Sequence, residues 1–224
     1  MPKRQETEEE RAQASGLSRR QFLRGVGAVG AGSALVSDLL APAEAEAESI
    51  PLADPPAGTT LHKGLQAITL QVNGQAMTMQ VEPRTTLLNA LRNHADPPVT
   101  GPKLVCDQGA CGGCTVLLDG KTAYGCMQLA VDTIGKKIVT VEGLTGPNGE
   151  LSPVQEAFVH RDAMMCGFCT PGFVTSATAL LRSNPNPTHE EIQKGCAGNL
   201  CRCGTYPHIF EAVAEAAQKM RGGA

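Results

Sequence analysis

"CDQGACGGCTVLLDGKTAYGC", Cys106 to Cys126, decides how the rest of this chain is read. Its thiols, Cys106, Cys111, Cys114 and Cys126, are spaced C-x4-C-x2-C-x11-C, the arrangement of a plant-type [2Fe-2S] site. Gly109, Gly112 and Gly113 suit that reading. A loop wrapped round an inorganic core must aim backbone N–H groups at sulfur and approach closely without Cβ atoms. Asp119-Gly120 within the stretch marks a hairpin turn, so Cys126 is expected on the strand that follows, tethering the loop to a sheet.

Upstream, "LQAITLQVNGQAMTMQV" (65–81) alternates apolar and polar residues on either side of Asn73-Gly74, which predicts a hairpin with a type I′ turn. In "PRTTLLNALRNH" (83–94), Thr85 or Thr86 caps a short helix carrying Leu87, Leu88 and Leu91. "KKIVTVEG" (136–143) reads as one more strand. Past "TGPNGEL" (145–151) the period changes. Ser152-Pro153 starts a helix through "VQEAFVHRDAMM" (154–165), "PGFVTSATALLRSNP" (171–185) opens and closes on proline, Thr188 caps "HEEIQKG" (189–195), and "PHIFEAVAEAAQKM" (207–220) closes the chain. The fold class is therefore α+β, a small mixed sheet with a helix followed by a short helical bundle.

The bundle holds a second thiol group, Cys166 and Cys169 in "CGFCTPG" with Cys201 and Cys203 in "NLCRCGTY". Each pair sits at the end of a predicted helix, so four thiolates can converge where two helix termini meet, favoured by unpaired N–H groups. Two other readings compete. Zinc pairs are usually two to four residues apart, which does not suit C-x-C. A disulfide framework leaves one of nine cysteines over, and a C-x-C disulfide is strained. Cys196, the odd thiol, reads as a small buried hydrophobe. His62, His94, His160, His189 and His208 lie in polar or helix-surface contexts that suit solvation or capping. Arg202, between two thiols, either tunes the charge at that site or is solvated surface. The net charge of -3 and the 3% aromatic content, with no Trp, give no stripe for nucleic acid.

"SRRQFLRGVGAVGAG" (18–32) admits a G-x-G-x-x-G dinucleotide loop, a membrane anchor or an export signal. No apolar alternation of a strand precedes Gly25, which the dinucleotide loop requires. The apolar part, 25–41, is diluted by glycine and carries Asp38, too polar for a comfortable membrane span. Arg19-Arg20, the apolar run and the Ala-x-Ala segment at 43–47 fit a twin-arginine signal peptide over 1–47. A Pro- and Gly-rich linker then covers 48–64.

Together, the two spacings with "CGFCTPGF" and "GNLCRC" resemble the small iron–sulfur subunit of the molybdenum hydroxylases, the xanthine oxidase family, across residues 65–220. The leader narrows the resemblance to the periplasmic aldehyde oxidoreductase branch. It implies an N-terminal β-grasp, plant-type ferredoxin-like domain (65–146) with one [2Fe-2S] cluster on Cys106, Cys111, Cys114 and Cys126. A four-helix domain (151–221) then holds the cluster nearer molybdenum on Cys166, Cys169, Cys201 and Cys203. By the same resemblance, electrons from a molybdopterin dinucleotide on a large partner subunit pass the second cluster, then the first, to a FAD subunit or other acceptor. The assembly oxidises aldehydes or N-heterocycles with water as oxygen source. This chain itself carries no catalytic residue and no substrate site. Met165 stands where relatives often place a pterin-contacting Gln, and Cys203 is implied to touch the pterin while ligating iron. Gly204-Thr205-Tyr206 departs from the common Thr-Gly-Tyr. Twin-arginine export carries folded proteins, so both clusters can be built in the reducing cytosol before the mature chain, with no transmembrane anchor, reaches the periplasm. A free-standing double-cluster ferredoxin is the alternative.

Overall fold

The computed structural model describes residues 20–21 and 63–222. Apart from Arg20, Gln21, Lys63 and Gly64, the signal (1–47) and linker (48–64) lie outside the described residues.

Strands β1 (Gln66–Val72) and β2 (Gln75–Val81) form the expected hairpin. Asn73 (φ 51) and Gly74 (φ 81) supply the two left-handed turn positions, and Ile68, Leu70, Val72, Met79 and Val81 point to one buried face. Helix α1 (Leu87–Asn89) begins at Thr86, whose hydroxyl accepts the Asn89 N–H at 3.2 Å. It widens into a π-turn over Ala90–His94, closed by Ala95 N–H on the Ala90 carbonyl at 3.0 Å. β3 (Thr115–Leu118) and β4 (Lys121–Tyr124) pair across Asp119-Gly120. β5 is shorter than the sequence suggests, Lys137–Val139, because the chain turns at Thr140 into a 3-10 segment, Val141–Leu144. The Asn73 side chain ties that corner, accepting Thr140 N–H at 2.8 Å. The sheet runs β2-β1-β5-β3-β4, with β1 and β5 parallel.

Four helices follow. α2 (Pro153–His160) opens on a capping box between Ser152 and Gln155. It stops at His160 rather than continuing through "RDAMM". Asp162 at φ 50 reverses the chain and Ala163 N–H closes on the Phe158 carbonyl at 2.9 Å, which frees Met164 and Met165 to approach Cys166. α3 (Thr170–Ser183) has Pro171 in its first turn, α4 (His189–Cys196) has a second capping box, Thr188 with Glu191, and α5 (Tyr206–Gly222) ends the described chain. The α+β class is therefore as expected. One core lies under the sheet around Leu70, Leu91, Val116 and Ile138. A second gathers Phe158, Phe173, Ile192, Ile209 and Val213 between the helices and takes in Leu117 of β3. Among the described residues no helix is long and apolar enough to cross a membrane.

Candidate functional site

Three thiols of the first group, Cys106, Cys111 and Cys114, sit in the loop between the π-turn and β3. Arg92 Nη1 clamps the start of that loop, donating to the carbonyls of Thr100 and Pro102 at 2.8 Å each, and Lys103 N–H reaches the Gly113 carbonyl at 2.8 Å. Cys126 lies in a 3-10 turn, Gly125–Met127, directly after β4, and not on a strand as expected. Gly125 N–H donates to the Cys114 carbonyl at 3.1 Å, one more rung in the β3–β4 register, and the chain leaves the ladder there, so Cys126 is carried by the turn. Three amides aim at sulfur: Gly109 at Cys126 (3.3 Å), Ala110 at Cys106 (3.4 Å) and Gly113 at Cys111 (3.4 Å). Gly112 (φ 69) has no room for a Cβ, which would fall on the carbonyl oxygen of Gly198.

The thiols stand two and two. Cys114 and Cys126 are buried with their sulfurs 3.4 Å apart, whereas the half-buried Cys106 and Cys111 interact with each other nearer the surface. Amide donation from Gln108 holds Cys106 down at about 7. Burial pushes Cys114 up to about 12.

The second group repeats the plan. Cys169 is the N-cap residue of α3, and Cys201 and Cys203 lie just before α5, so two helix N-termini meet there as the sequence predicts. Cys166 and Cys203, both exposed, interact with each other, and so do the more buried Cys169 and Cys201. Burial pushes Cys169 up to about 12. Burial also raises Cys201, but the Thr205 hydroxyl, 3.1 Å from its sulfur, and the Thr205 amide outweigh this and bring it down to about 7. Tyr206 adds to the frame, its phenol oxygen accepting Cys201 N–H at 2.8 Å. Thus Thr205 and Tyr206 of the variant Gly-Thr-Tyr run both serve Cys201.

A two-by-two set of thiols suits a diiron core, in which each metal takes two sulfurs from the protein. A single zinc needs its ligands around one point about 2.3 Å away. Among the described residues no group of three or more His, Cys, Asp or Glu forms such a single-ion site, and all nine cysteines are free of disulfides. Burial pushes the Cys114 and Cys169 thiols to about 12, and a metal core bound there would turn them into thiolates. The donor set and the amide cradle therefore fit [2Fe-2S] clusters.

The remaining candidates fall into place without metal. Cys196 is 2% exposed in the helical core, its thiol pushed to about 11 by burial. His160 pairs with Glu215 at 2.9 Å, His208 meets the Arg161 carbonyl at 3.0 Å, and His189 packs edge-on against Phe210. Arg202 is exposed, and Met165 is 75% exposed beside Cys166.

The two sites touch, which spacing alone does not disclose. Leu200 N–H donates to the Cys111 carbonyl at 2.9 Å, so one hydrogen bond joins a thiol-bearing residue of the first site to the neighbour of Cys201 in the second. Tyr124 Oη donates to the Gly198 carbonyl at 2.8 Å. Burial raises the Tyr124 pKa, and the thiols of the first site raise it further, which keeps the phenol a donor. Asn199, buried between the sites, was not singled out by its sequence context, where it is one polar residue in "GNLCRC".

Two family models match, a 2Fe-2S iron–sulfur cluster binding domain over residues 70–135 and a [2Fe-2S] binding domain over 140–214. The small subunit of nicotine 6-hydroxylase from Paenarthrobacter nicotinovorans is 50% identical over 149 residues, 66% of this chain and 88% of that protein. The aldehyde oxidoreductase iron-sulfur-binding subunit PaoA of Escherichia coli (strain K12) is 36% identical over 220 residues, 92% of this chain and 90% of that one. Among solved structures, quinoline 2-oxidoreductase from Pseudomonas putida 86 superposes with a TM-score of 0.66 at 40% identity, covering 71% of this chain and 98% of that chain. This chain thus belongs to the iron–sulfur small subunits of the molybdenum hydroxylase family, oxidoreductases whose small subunits carry two [2Fe-2S] clusters.

Proposed function

We propose that this chain is the exported electron relay of a molybdenum hydroxylase that oxidises an aldehyde or an N-heterocycle. Cys106, Cys111, Cys114 and Cys126 hold one cluster in a β-grasp domain (65–146), and Cys166, Cys169, Cys201 and Cys203 hold the other in a four-helix domain (151–221). A [2Fe-2S] cluster supplies reversible one-electron storage. The chain's residues place the two stores in series. The hydrogen bond from Leu200 to the Cys111 carbonyl carries this reading, because it joins the sites through backbone rather than through water.

An apolar rim supports a docked large subunit. Met164, Met165, Phe168 and Leu200 are 40%, 75%, 51% and 56% exposed around Cys166 and Cys203. Exposed apolar surface of this kind is normally covered by a partner. Met165 and Cys203 lie on that rim, where the reading sets a molybdopterin dinucleotide. The Cys106 site, last in the relay, serves a FAD subunit or another acceptor. The surface also argues against a free-standing ferredoxin, which would leave the rim wet.

Export rests on Arg19-Arg20 and the apolar run behind them. The likeness to PaoA spans 92% of this chain, more than residues 48–224 can supply, and so reaches into the leader. Twin-arginine passage to the periplasm follows from that segment.

Anaerobic co-purification tests the reading. Iron, acid-labile sulfide and molybdenum in one complex, with two paramagnetic signals after reduction, is the expected result. A chain free of inorganic sulfide, or one that purifies alone with no molybdenum partner, rejects it.

A further inference from the structure

We propose that Asn199 is the positioning residue that fixes the distance between the two cluster sites, an inference that rests on the relay reading above. Asn199 is 3% exposed, and its one amide group reaches three elements. Nδ2 donates to the Gly112 carbonyl at 2.9 Å and to Thr115 Oγ1 at 3.2 Å, while Oδ1 accepts from Ser176 Oγ at 2.7 Å. Each of those elements leads directly to a proposed ligand. Gly112 follows Cys111, Thr115 follows Cys114, and Ser176 lies on α3, whose N-cap is Cys169. Asn199 itself stands two residues before Cys201.

The surrounding backbone leaves the amide little freedom. A Cβ on Gly172 of α3 would fall on the Gly112 carbonyl, and one on Gly112 would fall on the Gly198 carbonyl. The first loop, α3 and the Gly198–Leu200 segment are therefore in bare backbone contact, and the Asn199 side chain is the buried polar group that touches the first loop, β3 and α3 at once. Both ends of the amide are used, so its orientation is set: the nitrogen faces the first site and the oxygen faces α3. A buried polar group with its partners satisfied specifies one arrangement, and removing one partner leaves the other at full desolvation cost. Displacing the seam moves the Cys111 loop against Cys169 and Cys201, and the spacing of the two clusters with it.

The test uses the assembled complex reduced anaerobically, in which magnetic coupling between two reduced clusters falls steeply with their separation. Asn199→Asp keeps the acceptor for Ser176 and turns both donations into an acceptor facing the Gly112 carbonyl. Ser176→Ala only releases the amide's oxygen end. The wild type is expected to show a low-temperature splitting of its paramagnetic signals. Asn199→Asp should keep wild-type iron and sulfide yet lose the splitting, and Ser176→Ala should weaken it. Full iron with unchanged splitting in Asn199→Asp overturns the proposal, as does a wild type with both clusters and no splitting. Should Asn199→Asp fail to assemble, Ser176→Ala decides: weakened splitting supports the assignment and unchanged splitting overturns it. Lack of inorganic sulfide in the wild type is a separate result that rejects the relay reading itself.

Discussion

Val116 and Leu117 are consecutive on β3, both are 0% exposed, and they lie in different cores. Successive strand side chains point to opposite faces. Val116 therefore packs under the sheet with Leu70 and Leu91, and Leu117 packs against the helices with Phe173 and Val174. The strand that leads out of Cys114 is thus a wall of both halves. Truncating Leu117→Ala leaves a cavity on the helix side and should cost about 2–5 kcal/mol, read from denaturant unfolding. A loss well below that range would mean that the sheet and the helices do not share this wall.

Cys126 and Cys196 are both buried thiols with different neighbours: Cys126 faces Cys114, and Cys196 sits among apolar side chains. Cys126→Ala is expected to remove one of the two cluster signals in paramagnetic resonance and leave the other. Cys196→Ala should leave both. A missing signal in the Cys196 variant would assign the ninth thiol a role that its surroundings do not support.

Tyr124 reaches across from β4 to Gly198 with a single 2.8 Å hydrogen bond. Tyr124→Phe keeps the ring and removes that bond, at a net cost of about 1 kcal/mol. Iron content should be unchanged, and equilibrium unfolding measures the difference. A variant as stable as the wild type would make the bond incidental.

Glu215 of α5 is held down to about 2 by His160, then Arg161 and Lys219. This network pins the C-terminal end of α2 just before the Met164–Cys166 approach. A carboxylate depressed from its ordinary 4.5 contributes stability above that value and loses it as pH falls toward about 2. Below pH 4.5 the wild type should lose thermal stability more steeply than Glu215→Gln. Parallel pH profiles for the two proteins would contradict the assignment.

Local chemistry made much of this legible in advance. Asn73-Gly74 and Asp119-Gly120 demanded left-handed turns and formed them, and Thr86, Ser152 and Thr188 capped the helices they preceded. The end of α2 was not legible, because "RDAMM" keeps a helix-compatible composition and only the Asp162 reversal beside Glu215 and α5 halts it. Asn199 and Tyr124 escaped notice for a related reason. Their partners are 87 and 74 residues away, and a single polar side chain leaves no periodic trace.

The sequence by itself determined that eight cysteines fall into two sets, that the first has the plant-type [2Fe-2S] spacing while the second takes its cluster from the family resemblance, and that one set lies beside a sheet and the other at helix ends. Spacing along a chain is covalent, so it survives without a fold. Which thiols stand inner and outer, and which amide and carbonyl join the two sites, were decided only by the tertiary structure. Those are contacts between segments that the chain brings together when Leu117 and its neighbours bury their apolar surface.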